Sequence, residues 1–375
     1  GNDTFNINSK SGAFTDTIDG STGTDTLDID YTGVSNLGDF SSISYDSSTG
    51  YFTLGTDANG GTIKFKSIEN LIIGDYAYTR VTEDRDRDTP QERNAFWNAT
   101  EKVLYLFNSG TTGGGIDNDG WRTTNSDDDS FLTGLTKTMD VTIQGSAGND
   151  SFNLNVDRTN DYSGNWTFNF GAGDDVIYSA KLKNGDSLDF GAGDDIAWLM
   201  LSGSSGTPAL TSASLAKLDG GTGNDTLHTQ ESGTNTAELI LNDTFGATNW
   251  ENLFGTEGAE TIKGDGNANI LAGNKGNDTL YGYAGNDTLA GNHSSMSNIT
   301  DGYISSDKTG DNTLYGGAGN DTLIGGYYED TLDGGTGADT LTGNDGIDIF
   351  VIRAGDGGSA ITDADVITDF SDGND

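Results

Sequence analysis

From Gly264 onward one large apolar residue recurs every nine positions, embedded in glycine and small polar residues. The frames read GDGNANILA, GNKGNDTLY and GYAGNDTLA, and a second block from Asp307 reads DKTGDNTLY, GGAGNDTLI, GGYYEDTLD, GGTGADTLT and GNDGIDIFV. Their eighth position holds Leu271, Leu280, Leu289, Leu314, Leu323, Leu332, Leu341 and Phe350. Self-similarity at a fixed short period is the signature of a stacked repeat architecture. Elsewhere, alternating segments such as Trp166-Thr167-Phe168-Asn169-Phe170 predict strands, and no convincing amphipathic helix is present.

The template G-G-x-G-x-D-x-U-x, with U large and apolar, resembles the RTX (repeats-in-toxin) nonapeptide. The resemblance implies an all-β fold, a right-handed parallel β-roll or β-helix solenoid. Six residues would form a Ca2+-binding glycine-rich turn and three a short strand, with two nonapeptides completing one coil. Asp278 would then lie above the turn holding Glu260, and Asp287 above Asn269. Asn312, Asp330 and Asp348 would share one edge, with Asp321 and Asp339 on the other. The implied cofactor is Ca2+ at multiple sites, held by Asp278, Asp287, Asp321, Asp330, Asp339 and Asp348 with the turn glycines Gly273, Gly276, Gly282, Gly285, Gly316, Gly319, Gly334 and Gly337. Elementary chemistry agrees: Ca2+ accepts six to eight oxygens in loose geometry, which glycine turns and one carboxylate can offer. A single inward side chain per nine residues, about 1.5–3 kcal/mol, falls well short of the entropy lost in ordering them. Metal binding is therefore expected to be folding energy, and the metal-free chain is expected to be unfolded or expanded. Glu260, Asn269 and Asn312 replace the sixth-position aspartate, which predicts weaker or missing sites there. Tyr328 stands at a fourth position where φ > 0 is expected and a bulky residue resists it; Asn267 at that position is better tolerated.

Upstream the same turn recurs at wider spacing, in GNDTF at 1–5, GSTGTDTLD at 20–28, GSAGNDSFN at 145–153, FGAGDDVIY at 170–178, FGAGDDIAW at 190–198 and GGTGNDTLH at 220–228. These add Asp3, Asp25, Asp150, Asp175, Asp195 and Asp225 to the candidate ligands. A twenty-residue step from Gly171 to Gly191 predicts a wider β-helix with one such turn per coil and a longer opposite arm, Ala180 to Ser187. Inward positions would include Phe152, Phe168, Phe170, Ile177, Leu188, Phe190, Ile196 and Leu227. Two passages, Ser67-Ile68-Glu69-Asn70-Leu71 and Asn249-Trp250-Glu251-Asn252-Leu253, resemble the E-N-L joint that precedes glycine blocks in RTX proteins. Asp365-Val366-Ile367-Thr368-Asp369-Phe370 is similar to the strand that closes such blocks. The expected organisation is therefore N-terminal coils over 1–75, an insertion or capping subdomain over 76–140, a wide-coil β-helix over 141–253, and a nonapeptide roll with closing strand over 254–375. Residues 293–306 interrupt that roll. Insertions in solenoids map to one face: 76–140 carries Phe96, Trp97, Tyr105, Phe107, Trp121 and the acidic runs Asp84-x-Asp86-x-Asp88 and Asp127–Asp129. It reads either as packing or as a contact surface. The first acidic run lacks the glycine and glutamate of an EF-hand loop.

Charge narrows the function. The 375 residues hold 59 acidic and 18 basic side chains, a formal charge of −41, which excludes nucleic-acid binding and attraction to anionic membranes. Low hydrophobicity at 32% with such charge favours disorder on composition alone; 57 glycines against 2 prolines, in register, point instead to many turns. With no cysteine, disulfides and thiolate metal sites are absent. No apolar run is long enough to span a membrane, and no membrane insertion is expected. Only His228 and His293 exist, and H-E-x-x-H, G-x-S-x-G, a Walker loop and an Asp-Pro-His signature are all missing. Counting carboxylates does not exclude glycosidase-like geometry, but the expectation is no enzyme. The resemblance implies a protein secreted by type I export to the extracellular space or cell surface of a Gram-negative bacterium. The leading expectation is a structural element of an S-layer, adhesin or extracellular filament, self-associating with neighbouring copies or a surface glycan. The alternative is a folding and export module for an enzyme or toxin. Both ends fall in repeat-like sequence, so a longer protein is expected, with its secretion signal beyond Asp375. Outward threonines at position seven, such as Thr279 and Thr313, are read as strand formers rather than an ice-binding array.

Overall fold

Strands account for nearly all regular structure in the computed structural model, which describes residues 1–8, 10, 12–46, 48–55, 61–84, 90–107, 138–153, 164–180, 182, 184–200, 215–230, 238–244, 247–292, 310–356, 360 and 363–370. Helix is confined to short 3-10 turns such as Leu37–Asp39, which Asn36 caps by accepting the Gly38 N–H. No helix among the described residues is long and apolar enough to cross a membrane. The chain divides into two units, Gly1–Asp195 with Leu215–Lys217, and Ile196–Ser214 with Leu218–Asp375.

The first unit starts as stacked parallel coils. Thr4–Asn8, Thr26–Asp30 and Asn70–Ile73 pair in parallel, aligning Phe5, Leu27 and Leu71, then Ile7, Ile29 and Ile73. The chain next turns back on itself. Tyr76–Asp84, Pro90–Asn98 and Val103–Leu106 run antiparallel to one another and continue the same sheet, after which Val103–Leu106 pairs in parallel with Val141–Gln144. The described part of 76–140 is thus sheet, with Tyr78, Phe96 and Phe107 buried together with Phe52 and Phe65. Trp121 and Asp127–Asp129 lie outside the described residues, as do Asp86 and Asp88. Wide coils follow, stacking Val141–Gln144, Trp166–Ala172 and Ser187–Ala192 in parallel. Phe168 and Phe170 align inside the coils with Leu188 and Phe190, the phenylalanines Phe170 and Phe190 stacked 4.8 Å apart.

In the second unit successive nonapeptides feed opposite sheets, so two of them complete a coil. Thr261–Lys263, Thr279–Ala284, Thr313–Ala318, Thr331–Thr336 and Ile349–Val351 form one parallel ladder. Asn252–Phe254, Ile270–Ala272, Thr288–Ala290, Thr322–Tyr327, Thr340–Asp345 and Val366–Ile367 form the other. Both ladders keep register across residues 293–309, pairing Thr279 with Thr313 and Thr288 with Thr322. Leu271, Leu280, Leu289, Leu314, Leu323, Leu332 and Leu341 are all fully buried. One reason is geometric: alternation along each short strand turns its middle residue into the roll, while Phe254, Ala272 and Ala290 at a flanking position are buried in a second cluster with Ile270 and Ile324 packed against it.

Two expected inward residues differ. Ile196 is half-buried, because Ala197 registers with Leu227 and Ala197 and Leu199 take the inward positions. Phe350 is also half-buried; among the described residues its strand is the last of its ladder. Tyr328 does adopt the left-handed conformation, at φ 80° with its ring half-exposed, whereas Asn267 avoids it. Truncating Leu323 to alanine should lower the unfolding free energy of the calcium-saturated chain by about 2–5 kcal/mol, measured by urea unfolding; an unchanged midpoint would remove Leu323 from the core.

Candidate metal centre

Apart from the frame that opens at Asp307, each nonapeptide turn begins with a glycine and ends five residues later with an acidic or amide side chain. The first glycine is required for space rather than for φ. A Cβ on Gly316, whose φ is not left-handed, would come within 2.5 Å of both Asp321 Oδ2 and the Gly334 carbonyl of the next coil. Gly273, Gly282 and Gly334 likewise face the Oδ2 of Asp278, Asp287 and Asp339. The fourth-position glycines Gly276, Gly285, Gly319 and Gly337 all have left-handed φ, and a Cβ there would overlap main-chain atoms of the adjacent coil. The turns are therefore held at backbone-to-backbone distance, with carbonyls and carboxylate oxygens crowding the bare side of glycine.

The sixth-position side chains stack in two columns. On one edge the N–H groups of Glu260, Asp278, Asn312 and Asp330 donate to the Oδ1 of Asp278, Asn312, Asp330 and Asp348, at 2.7–3.0 Å. On the other, Asn269, Asp287, Asp321 and Asp339 donate to Asp287, Asp321, Asp339 and Asp365, at 2.8–3.1 Å. The first unit repeats the device: Asp150 donates to Asp175 and Asp175 to Asp195, at 2.6 and 2.7 Å, and Asp3 donates to Asp25 at 2.7 Å. Asp225 is placed in the same way at the start of the second unit's coils, its N–H donating to Glu251. All these aspartates are buried except Asp3, which lies exposed at the end of its column, and Asp365, which is half-buried.

One oxygen of each carboxylate is thus used. In seven of them the other has no hydrogen-bond partner: Oδ2 of Asp25, Asp175, Asp287, Asp321, Asp330 and Asp339 and Oδ1 of Asp150 are buried and unsatisfied. A buried anionic oxygen without a partner costs free energy. Burial pushes Asp175 up to about 9, Asp330 to about 8, Asp150 to about 7, and Asp287 and Asp321 to about 6. Bonds to backbone N–H groups oppose the shift, and stacked carboxylates add to it, Asp150 and Asp195 against Asp175 and Asp348 against Asp330.

This donor set fits a hard divalent cation. No three histidine or carboxylate side chains converge among the described residues, so a cation would be held by one or two carboxylates with main-chain carbonyls, as Ca2+ accepts. Bound there, it would supply positive charge to the orphaned oxygens and a cross-link between coils. The substituted turns satisfy themselves differently. Glu260 folds back on the Thr256 hydroxyl and N–H, Asn269 accepts the Asp265 N–H, and Asn312 donates its amide to Gly310 O at 3.2 Å. In Asn312 an N–H thus takes over a carbonyl that elsewhere faces the turn.

The family model for the RTX calcium-binding nonapeptide repeat (4 copies) matches residues 11–28, 217–231, 253–292, 306–326, 315–350 and 324–357. The chain carries RTX calcium-binding repeats. Comparison with curated proteins returns no match. The turns of Asp150, Asp175 and Asp195 lie outside the matched RTX segments yet build the same column. The sequence marks Glu69 and Glu251 as parts of the E-N-L joints and Asp365 as part of the closing strand, but not as carboxylates of a column; the structure places all three at column ends, where they accept the N–H of Asp25, Asp225 and Asp339. Sequence reasoning missed Asp186, fully buried on the arm of a wide coil, where it accepts the Trp166 N–H. His228 is a packing residue, stacked flat on Trp198 at 3.7 Å and pushed down to about 3 by burial; His293 lies outside the described residues.

Two outcomes follow from the RTX turns. Replacing Gly316 with alanine should remove at least one bound Ca2+, counted by equilibrium dialysis; an unchanged count would separate the bare glycine from the cation. The raised carboxylates also fix a pH dependence. Their folded values exceed the unfolded one, so the metal-free fold holds more protons, is favoured in acid, and loses that stability as pH rises through about 6 to 9. Calcium must displace those protons, so its affinity should rise over the same window with proton release on binding. Titration calorimetry in buffers of different ionisation enthalpy checks this, and an affinity flat across the window contradicts it.

Proposed function

We propose that this chain is a calcium-cemented structural element of a secreted bacterial protein, without catalytic activity, that folds after export and associates with copies of itself at the cell surface. The observation that carries the proposal is the series of buried carboxylates with one unsatisfied oxygen, running through coils of both units. Such a series disfavours the folded state where calcium is scarce and favours it near the millimolar level of extracellular fluids, the affinity range of extracellular calcium modules. RTX repeats are typical of secreted proteins, and type I export needs an unfolded passenger. A charge of −41 keeps the unfolded chain soluble.

The structural reading is supported by what the repeats occupy. Turns, strands and joints together take up most of the chain, the protease, lipase and nucleotide-binding signatures are missing from its sequence, and one of its two histidines is buried in packing. The association is expected to be calcium-dependent, because neighbouring acidic copies repel until cations screen them. Electron microscopy of the purified chain in about millimolar calcium should show sheets or filaments that disperse in EDTA. A monodisperse monomer at high concentration in calcium would contradict the lattice role and favour a folding module attached to another activity.

A further inference from the structure

We propose that the two Glu-Asn-Leu joints are calcium sites in their own right, Glu69 with Asp25 in the first unit and Glu251 with Asp225 in the second, each taking one Ca2+ between a repeat turn and a bend of the next coil that has no glycine frame. The proposal rests on the calcium reading above and extends it to residues outside every segment the family model matches.

The two joints are built alike although they belong to different units. Asp25 N–H donates to Glu69 Oε2 at 2.7 Å, and Asp225 N–H to Glu251 Oε2 at 2.8 Å. In return the N–H groups of Glu69 and Asn70 donate to Asp25 O at 3.2 and 3.0 Å, and those of Glu251 and Asn252 to Asp225 O at 3.2 and 3.0 Å. Two residues before each glutamate the chain adopts a left-handed conformation, Ser67 at φ 52° and Asn249 at φ 58°. This bend turns a carbonyl toward the repeat. A Cβ on Gly20 would overlap Ser67 O and lie 2.7 Å from Asp25 Oδ2; one on Gly220 would overlap Asn249 O and lie 2.8 Å from Asp225 Oδ2. That is the arrangement at Gly316, where the converging groups are Asp321 Oδ2 and the next coil's Gly334 carbonyl.

Every part of a repeat site is therefore present at each joint: a glycine without a side chain, a carbonyl from the following coil, a repeat aspartate, and a carboxylate on that aspartate's N–H. At the first joint the aspartate is almost wholly buried and its Oδ2 has no partner. The path differs in length: the repeat aspartate stands five positions after the residue whose carbonyl converges, as Asp339 after Gly334, whereas Glu69 stands two after Ser67 and Glu251 two after Asn249. Glutamate alone does not make a site: Glu260, inside a full turn, folds back on its own Thr256.

The test uses the full chain and counts bound calcium by equilibrium dialysis at about millimolar free Ca2+, for wild type, Glu69→Gln, Glu251→Gln and the double variant. Glutamine still accepts the aspartate N–H and loses only the charge, so a hydrogen-bonding role survives the change and a cation site does not. Each single variant should bind one ion fewer than wild type, and the double variant two fewer. Unchanged counts would overturn the joint sites and leave the repeat sites standing, whereas a wild-type chain that binds no calcium would overturn the underlying reading instead. Should a variant fail to fold, wild-type chain labelled with 13C-glutamate decides the matter. A calcium-induced shift of the labelled carboxylate stretch in the infrared supports the sites, and an unmoved band rejects them.

Discussion

A buried aspartate carboxylate with one oxygen accepting the preceding coil's N–H and the other facing a glycine is the interaction on which both units depend. The first contact sets the stacking: Asp321 N–H on Asp339 Oδ1 at 2.9 Å holds successive coils in register before any side-chain packing is considered. The second contact is a liability, since Oδ2 of Asp287, Asp321, Asp330 and Asp339 has no partner within the protein. Packing does not offset it well. Each nonapeptide buries essentially one leucine, such as Leu323 or Leu332, and a thin coil with a one-residue core cannot absorb several uncompensated charges. A cation bridging the turns would resolve both problems, and in the nonapeptide roll glycine occupies the first position of every turn whose sixth residue is aspartate.

The exceptions follow the same accounting of polar atoms. Where the sixth residue is Asn312, an amide N–H meets the Gly310 carbonyl; where it is Glu260, the carboxylate is consumed by Thr256. Such turns occur on both edges, Glu260 and Asn312 on one and Asn269 on the other, and each stands beside turns whose aspartates keep an unsatisfied oxygen, Asp330 on the first edge and Asp287, Asp321 and Asp339 on the second.

Much of this was legible in the sequence, and the reason is periodicity. The nine-residue frame, together with the two units per coil that the RTX resemblance implies, placed Asp278 over Glu260 and Asp287 over Asn269 and divided Asp321 and Asp339 from Asp330 and Asp348, as the hydrogen bonds show. What escaped lies where the period stops. Glu69, Glu251 and Asp365 close columns from segments with no glycine frame, and Asp186 sits on an arm whose length varies. The antiparallel strands from Tyr76 to Leu106 carry no repeat signal, though they continue the same sheet. Ile196 was read inward because it is large, but register with Leu227 gives that place to Ala197. Tyr328 tolerates a left-handed φ because its ring extends into solvent and the flanking turns fix its backbone.

The most direct measurement is small-angle X-ray scattering of the full chain in calcium and after its removal with EDTA. The account requires the radius of gyration to rise toward that of an unfolded chain when calcium is withdrawn and to return when it is restored. A chain that stays equally compact in excess EDTA would show that its interior and backbone ladders suffice, and the cation would lose its place as the element that holds the coils together.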